Sequence, residues 1–131
     1  MSAALTRAVV YVEDEPANVV IVERLLARRP ALRCVVAPDG ASGIRAVRDA
    51  DPLLVLLDLH LPDMPGEEVL AALRADPRTA GVPVVVCSAD AQPERIAALR
   101  AAGASAYLTK PLDLAEVLRV VDAAVSDEGD R

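Results

Sequence analysis

Apolar residues in this chain follow two spacings that take turns from one end to the other. Unbroken runs occur at Ala8-Val9-Val10-Tyr11-Val12, Leu53-Leu54-Val55-Leu56-Leu57, Val84-Val85-Val86-Cys87 and Ala106-Tyr107-Leu108-Thr109. A run without polar alternation suits a parallel strand covered on both faces. Leu32 to Ala37 reads as a further strand, with the weak alternation of an edge. Between the runs, apolar residues recur three and four positions apart, the mark of a helix with one buried stripe. Pro16 opens the first helix, which is expected to run to about Arg29, and Pro30 stops it. After a turn at Pro38-Asp39-Gly40, a second helix is expected over Ala41 to Ala50, with Ile44 and Val47 inward. The stretch from Leu59 to Gly66 holds two prolines and cannot be helical, while Val69, Leu70 and Leu73 mark a third helix. Pro93 opens a fourth, with Ile96 and Leu99 inward, and Gly103 ends it. The fifth starts near Asp113 and carries Leu114, Val117, Leu118 and Val121. Ser126 to Arg131 is expected to be a polar, frayed tail.

Strict alternation of strands and helices predicts an α/β fold: a parallel sheet, right-handed crossovers and helices on both faces. The expected arrangement is flavodoxin-like, with five strands in the order 2-1-3-4-5. No linker, repeat or low-complexity stretch divides the 131 residues. One domain over 1–131 is expected, its core spanning about 7–125.

The ends of the runs carry the chemistry. The first leads into Glu13-Asp14, the second ends on Asp58, the third on Ser88 and the fourth on Lys110. Parallel strands deliver all of these to the carboxyl edge of the sheet, where open α/β sheets bind ligands. Acids hold a hard cation such as Mg²⁺, a carboxylate can accept a phosphoryl group, and lysine and serine can bind its oxygens. Each residue also has a plainer reading. Acids before a helix complement its dipole, Asp58 could be a turn residue, Ser88 a cap and Lys110 a surface lysine. The joint pattern favours chemistry. Asp58 follows five aliphatic residues, and neighbouring acids worsen its position unless a divalent cation sits among them.

Composition narrows the choice of function. Hydrophobic residues make up 53 % of the chain, with two tyrosines and no Phe or Trp, so a single-strand nucleic-acid binder would lack its stacking platforms. A formal net charge of −6 argues against phosphate backbones and, more mildly, against anionic membranes. The start, Met1 to Arg7, has no signal-peptide apolar stretch, and no apolar run nears the roughly 18 residues of a membrane span. A cytoplasmic protein is therefore expected. Cys34 and Cys87 fall on the second and fourth strands, about 14 Å apart in the expected order and beyond disulfide reach. Two reduced thiols are the simpler expectation.

Arranged this way, the chain resembles the receiver domain of two-component response regulators from about Arg7 to Val125. The resemblance rests on Tyr11-Val12-Glu13-Asp14-Glu15-Pro16, on Leu56-Leu57-Asp58-Leu59-His60-Leu61-Pro62-Asp63-Met64-Pro65-Gly66, on Val86-Cys87-Ser88-Ala89 and on Ala106-Tyr107-Leu108-Thr109-Lys110-Pro111. Glu13-Asp14-Glu15-Pro16-Ala17-Asn18 looks most like receivers associated with hybrid sensor kinases. The resemblance implies that Asp58 is the phosphoacceptor and that Glu13, Asp14, Asp58 and the backbone carbonyl of His60 hold Mg²⁺. It makes Lys110 the partner of the acceptor and then of the phosphoryl group, aimed by a cis peptide bond into Pro111. Ser88 matches the switch hydroxyl, Ala89 the small residue beside it, and Tyr107 the switch aromatic. His60 and Asp90, two residues past the acceptor and the switch hydroxyl, are placed to tune phosphoryl lifetime, and a pair between them across the opening would hinder water. Two departures are mild: Glu13 stands where Asp is commoner, and Ser88 where Thr is frequent.

The implied function is a phosphoacceptor switch. It takes its phosphoryl group from a sensor histidine kinase or a histidine phosphotransfer protein and controls a protein target through the face of the fourth helix, fifth strand and fifth helix. Beyond self-catalysed phosphotransfer and autodephosphorylation it would not be an enzyme. The rival is a Mg²⁺-dependent phosphohydrolase of the haloacid-dehalogenase type, which also forms an aspartyl phosphate. That chemistry needs a second Asp two residues after the nucleophile, where this chain has His60, and an inserted cap that is missing.

Overall fold

Each apolar run becomes a strand and each three-four stretch a helix in the computed structural model, which describes residues 6–129. The order is β1 (Arg7–Val12), α1 (Pro16–Leu26), β2 (Leu32–Ala37), α2 (Gly40–Ala50), β3 (Leu54–Asp58), α3 (Gly66–Ala75), β4 (Val84–Ser88), α4 (Pro93–Ala101), β5 (Ala106–Thr109) and α5 (Leu114–Gly129). All neighbours in the sheet are parallel, in the order β2-β1-β3-β4-β5. The register sets Val12 beside Leu57, Asp58 beside Cys87 and Ser88 beside Thr109. The strand ends therefore share one edge.

Alternation along the strands divides the core in two. Val9, Tyr11, Leu54, Leu56, Val85, Cys87 and Leu108 pack under α1 and α5, against Val22, Leu25, Leu26, Val117 and Val121. Val10, Val12, Val55, Leu57, Val84 and Val86 pack under α2, α3 and α4, against Val47, Val69, Leu70, Leu73 and Leu99. With both faces covered, β3 and β4 are buried throughout, including their last residues Asp58 and Ser88. Cys34 and Cys87 are free, on strands separated by β1 and β3.

Two helix ends differ from expectation. Helix α1 stops at Leu26, because Arg28 and Arg29 turn tightly with their amides on Leu25 and Leu26 carbonyls. Arg29 then reaches Asp122 on α5 at 2.9 Å. Helix α5 continues through Ser126 to Gly129, where a frayed tail was expected, and Glu128 meets Arg7 at the start of β1 at 2.7 Å. Asp130 and Arg131 lie outside the described residues. Gly103, with φ of 112°, follows α4 as expected.

The loop after β3 folds back on its own strand. The Gly66 amide donates to the Leu59 carbonyl at 2.9 Å, and a side chain at Gly66 would meet the Asp58 carbonyl at 2.6 Å. Asp63 in the same loop accepts from the Gly40 and Ala41 amides at 2.7 and 3.0 Å, tying it to the start of α2. Those two amides hold the Asp63 carboxyl below its ordinary range.

Candidate functional site

The three strands at the centre and far side of the sheet bring Glu13, Asp58 and Lys110 into one hydrogen-bonded group. Glu13 follows β1, its amide extending the ladder onto the Ala37 carbonyl at 2.9 Å. Asp58 is the last residue of β3, and Lys110 follows β5 with its amide on the Ser88 carbonyl at 2.9 Å. The Lys110 Nζ donates to Glu13 Oε1 at 2.8 Å and to Asp58 Oδ1 at 3.0 Å. The Lys110–Pro111 peptide bond is cis, as the resemblance implies. Glu13 and Asp58 are only 2 % and 3 % exposed, so one half-buried ammonium serves two buried carboxylates.

Their environments push the two acids apart. Burial alone would raise the Glu13 carboxyl, but hydrogen bonds and charge from Lys110, with bonds from the Tyr11 hydroxyl and the Glu15 amide, hold it below its ordinary value. At Asp58 burial wins: together with the charge of Glu13 it outweighs Lys110 and raises the carboxyl. Burial works against the Lys110 ammonium, yet its bonds to Glu13 and Asp58 raise it above its ordinary value, so it stays charged. The neighbouring Cys87 thiol is pushed up to about 12, chiefly by burial.

Asp14 completes the acidic side. It is exposed, unlike its two partners, and ligand oxygens of Glu13, Asp14 and Asp58 lie within 4.8 Å of one another. Three hard oxygen donors against a single ammonium leave net negative charge at a point open to solvent through Asp14, a donor set suited to Mg²⁺.

A second group forms around the loop after β4. The Ser88 hydroxyl, buried, accepts from the Asp90 amide at 3.2 Å. The Tyr107 hydroxyl donates to the Asp90 carbonyl, with its ring half-buried against the core under α2, α3 and α4. Asp90 spends its carboxylate on its own loop: Oδ1 accepts from the Gln92 amide at 3.0 Å and Oδ2 faces Arg95 at 3.5 Å. Arg95 also meets Glu67 on α3 at 2.5 Å. The expected His60–Asp90 pair is therefore not formed. Arg95, near the start of α4, is the cation that faces the Asp90 carboxylate, and His60 stays exposed with its backbone bridged to Pro65.

Sequence reasoning passed over Tyr11, Asn18, Arg95 and Asp63. Tyr11 and Asn18 donate to Glu13 Oε1 at 3.0 and 3.3 Å. For Tyr11 a cue exists, since residues two apart on a strand share a face. Arg95 and Asp63 act across elements, where local spacing carries no cue.

Comparison with known proteins agrees with this geometry. The response regulator receiver domain profile matches residues 9–122. A probable transcriptional regulatory protein, TcrX of Mycobacterium tuberculosis, is 41% identical over 111 residues, which is 84% of this chain and 46% of that protein. The sensory/regulatory protein RpfC of Xanthomonas campestris pv. campestris is 40% identical over 119 residues, 87% of this chain and 16% of RpfC. The chain thus spans less than half the length of both. Among solved structures, the receiver domain of a Pseudomonas aeruginosa sensor histidine kinase superposes with a TM-score of 0.81 at 28% identity, covering 92% of this chain and 98% of that one. That structure holds a magnesium ion in its active site cleft. With the strand order, the acid cluster and these matches in agreement, the chain belongs to the response regulator receiver domain family of two-component systems.

Proposed function

We propose that this chain is a single receiver domain in which Asp58 accepts a phosphoryl group from a phosphohistidine on a sensor histidine kinase or a histidine phosphotransfer protein. The observation that carries the reading is Asp58 itself: a buried carboxylate ending a central strand, 3.0 Å from Lys110 within a three-acid cluster. Asp14, Asp58 and Glu13, with the His60 backbone carbonyl, would hold Mg²⁺, and the bound ion would neutralise charge on the phosphoryl oxygens. An Asp58 oxygen attacks phosphorus while the bond to the donor imidazole nitrogen breaks, and that nitrogen keeps the electron pair. Lys110 already touches the acceptor and passes from carboxylate to phosphoryl oxygen without a large movement. Positioning and charge account for most of the rate in such transfers.

Phosphorylation then biases a two-state loop. Ser88 donates to the phosphoryl group, the loop after β4 closes on it, and Tyr107 turns in behind. Moving an equilibrium from ~1:99 to 99:1 needs about 5.5 kcal/mol of preference, on the scale of one dianion meeting Lys110, Ser88 and a metal. The change is read on the face of α4, β5 and α5. The phosphodonor meets α1, where exposed Ile21 and Leu114 of α5 flank a shallow groove beside Arg24 and Arg28. Water hydrolyses the acyl phosphate, with His60 and Asp90 setting its access, so the signal decays. The compartment is the cytoplasm; no helix among the described residues is long and apolar enough to cross a membrane. The phosphohydrolase reading gains no support from the site, where His60 replaces the acid that reaction requires.

Acetyl phosphate with Mg²⁺ tests the reading. Wild-type protein should take a phosphoryl group that is lost in strong acid, in base and in hydroxylamine, as an acyl phosphate is, and Asp58→Asn should take none. Equal labelling of both would overturn the assignment.

A further inference from the structure

Both tyrosines of this chain place their hydroxyls on the site, but only Tyr107 has a role in the switch described above. Tyr11 is fully buried in β1, packed with Val9, Leu56 and Cys87 under α1 and α5. A hydroxyl in such a place costs free energy unless it is bonded, and this one donates to Glu13 Oε1 at 3.0 Å. The same oxygen accepts from Asn18 Nδ2 at 3.3 Å and from Lys110 Nζ at 2.8 Å. The other oxygen, Oε2, has only a long contact with the Glu15 amide at 3.4 Å. Glu13 therefore has one oxygen crowded by donors and one with lone pairs to spare.

The three donors differ in rigidity. Asn18 is on the first turn of α1 and half-exposed, and Lys110 is shared with Asp58. Tyr11 alone is locked in the centre of the sheet. When Lys110 turns toward a phosphoryl group, the tyrosine still fixes Glu13. Outer hydrogen bonds that orient a carboxylate raise its affinity for metal, and losing one typically costs about 10–100-fold.

We propose that Tyr11 is a positioning residue for the cation site, pinning Glu13 Oε1 so that Oε2 is presented to Mg²⁺ or to its water. The inference rests on the reading of Asp14 and Asp58 as cation ligands. Glu13 is one methylene longer than the commoner Asp, and a buried anchor on its far oxygen removes the freedom which that methylene adds.

The test is Mg²⁺ binding by calorimetry to wild type, Tyr11→Phe and Asp14→Ala, alongside a tyrosine absorbance difference spectrum. Phe keeps the ring and its packing, so the variant tests the hydroxyl alone. Tyr11→Phe should bind roughly tenfold more weakly. In wild type, Mg²⁺ should perturb tyrosine absorbance with the midpoint of calorimetric binding, and Tyr11→Phe should lose that perturbation. Undiminished affinity in Tyr11→Phe, or a spectral change retained in full by it although Tyr107 is then the one tyrosine left, overturns the role of Tyr11. Were Tyr11→Phe unable to fold, a wild-type spectrum unmoved by saturating Mg²⁺ would overturn it as well. Binding by Asp14→Ala as tight as wild type would instead overturn the cation reading, and the inference with it.

Discussion

At the amino end of the strands a cleft of about 480 Å³ lies among Arg7, Asp51, Arg78, Asp127 and Glu128. At the carboxyl end the loop from Leu59 to Pro65 lines a smaller recess of about 370 Å³. Volume alone would favour the amino end. Charge balance reverses the choice. At the amino end Arg7 meets Glu128 and Arg78 meets Asp76, at 2.7 and 3.0 Å. The nearby Arg74 donates to the carbonyls of Ala80, Val82 and Gly103. These are cations with partners, mostly in contact with water. At the carboxyl end one ammonium faces three acids, two of them buried. Buried, unbalanced charge is costly to fold and marks a candidate site of chemistry.

The largest expected difference between the ends is in cation binding. Asp14→Ala should weaken Mg²⁺ by about a hundredfold, the upper end of what even an outer partner costs, whereas Arg78→Ala should stay within about twofold. Calorimetry on both variants decides this, and similar losses would erase the distinction between the ends.

A subtler difference lies within the carboxyl end and concerns the sign of pH dependence. The Glu13 carboxyl is lowered from its usual 4.5, so its contribution to stability is present above that pH and is lost as pH falls through the folded value. The Asp58 carboxyl is raised from its usual 3.8, so stability falls as pH rises from there through the folded value. At pH 7 and without Mg²⁺, Glu13→Gln should lose about 2 kcal/mol, since hydrogen bonds to a charged group are given up. Asp58→Asn, which removes the unfavourable charge, should melt a few degrees higher than wild type. Thermal melts from pH 4 to pH 8 give both answers, and shifts of the same sign would break the contrast. The smallest effect belongs to the amino end. Its ion pairs are exposed, so Glu128→Gln should leave the melting temperature nearly unchanged in high salt and low.

How much of this was legible in the sequence follows the same physics. The gathering of Glu13, Asp14, Asp58 and Lys110 followed from apolar runs ending on polar residues, because parallel strands put every such end on one edge, while the strand order came from the flavodoxin-like pattern and not from the runs. Tyr11 was hidden by its own run, where it counts as core until its hydroxyl is asked for a partner. The pairing of His60 with Asp90 came from the resemblance, which carries no cue that Arg95 reaches the Asp90 carboxylate from α4. The end of α5 was misread through composition: a polar segment reads as frayed until Glu128 finds Arg7 across the sheet. Contacts between elements, not within them, were the missing layer.

Borohydride reduction of the phosphorylated protein, followed by peptide mass analysis, tests the central claim most directly, since reduction of an aspartyl phosphate leaves homoserine at the acceptor. The expected result is homoserine at position 58 in wild type, dependent on Mg²⁺ and absent when acetyl phosphate is withheld. Homoserine at position 14, or at any aspartate other than 58, would contradict the account.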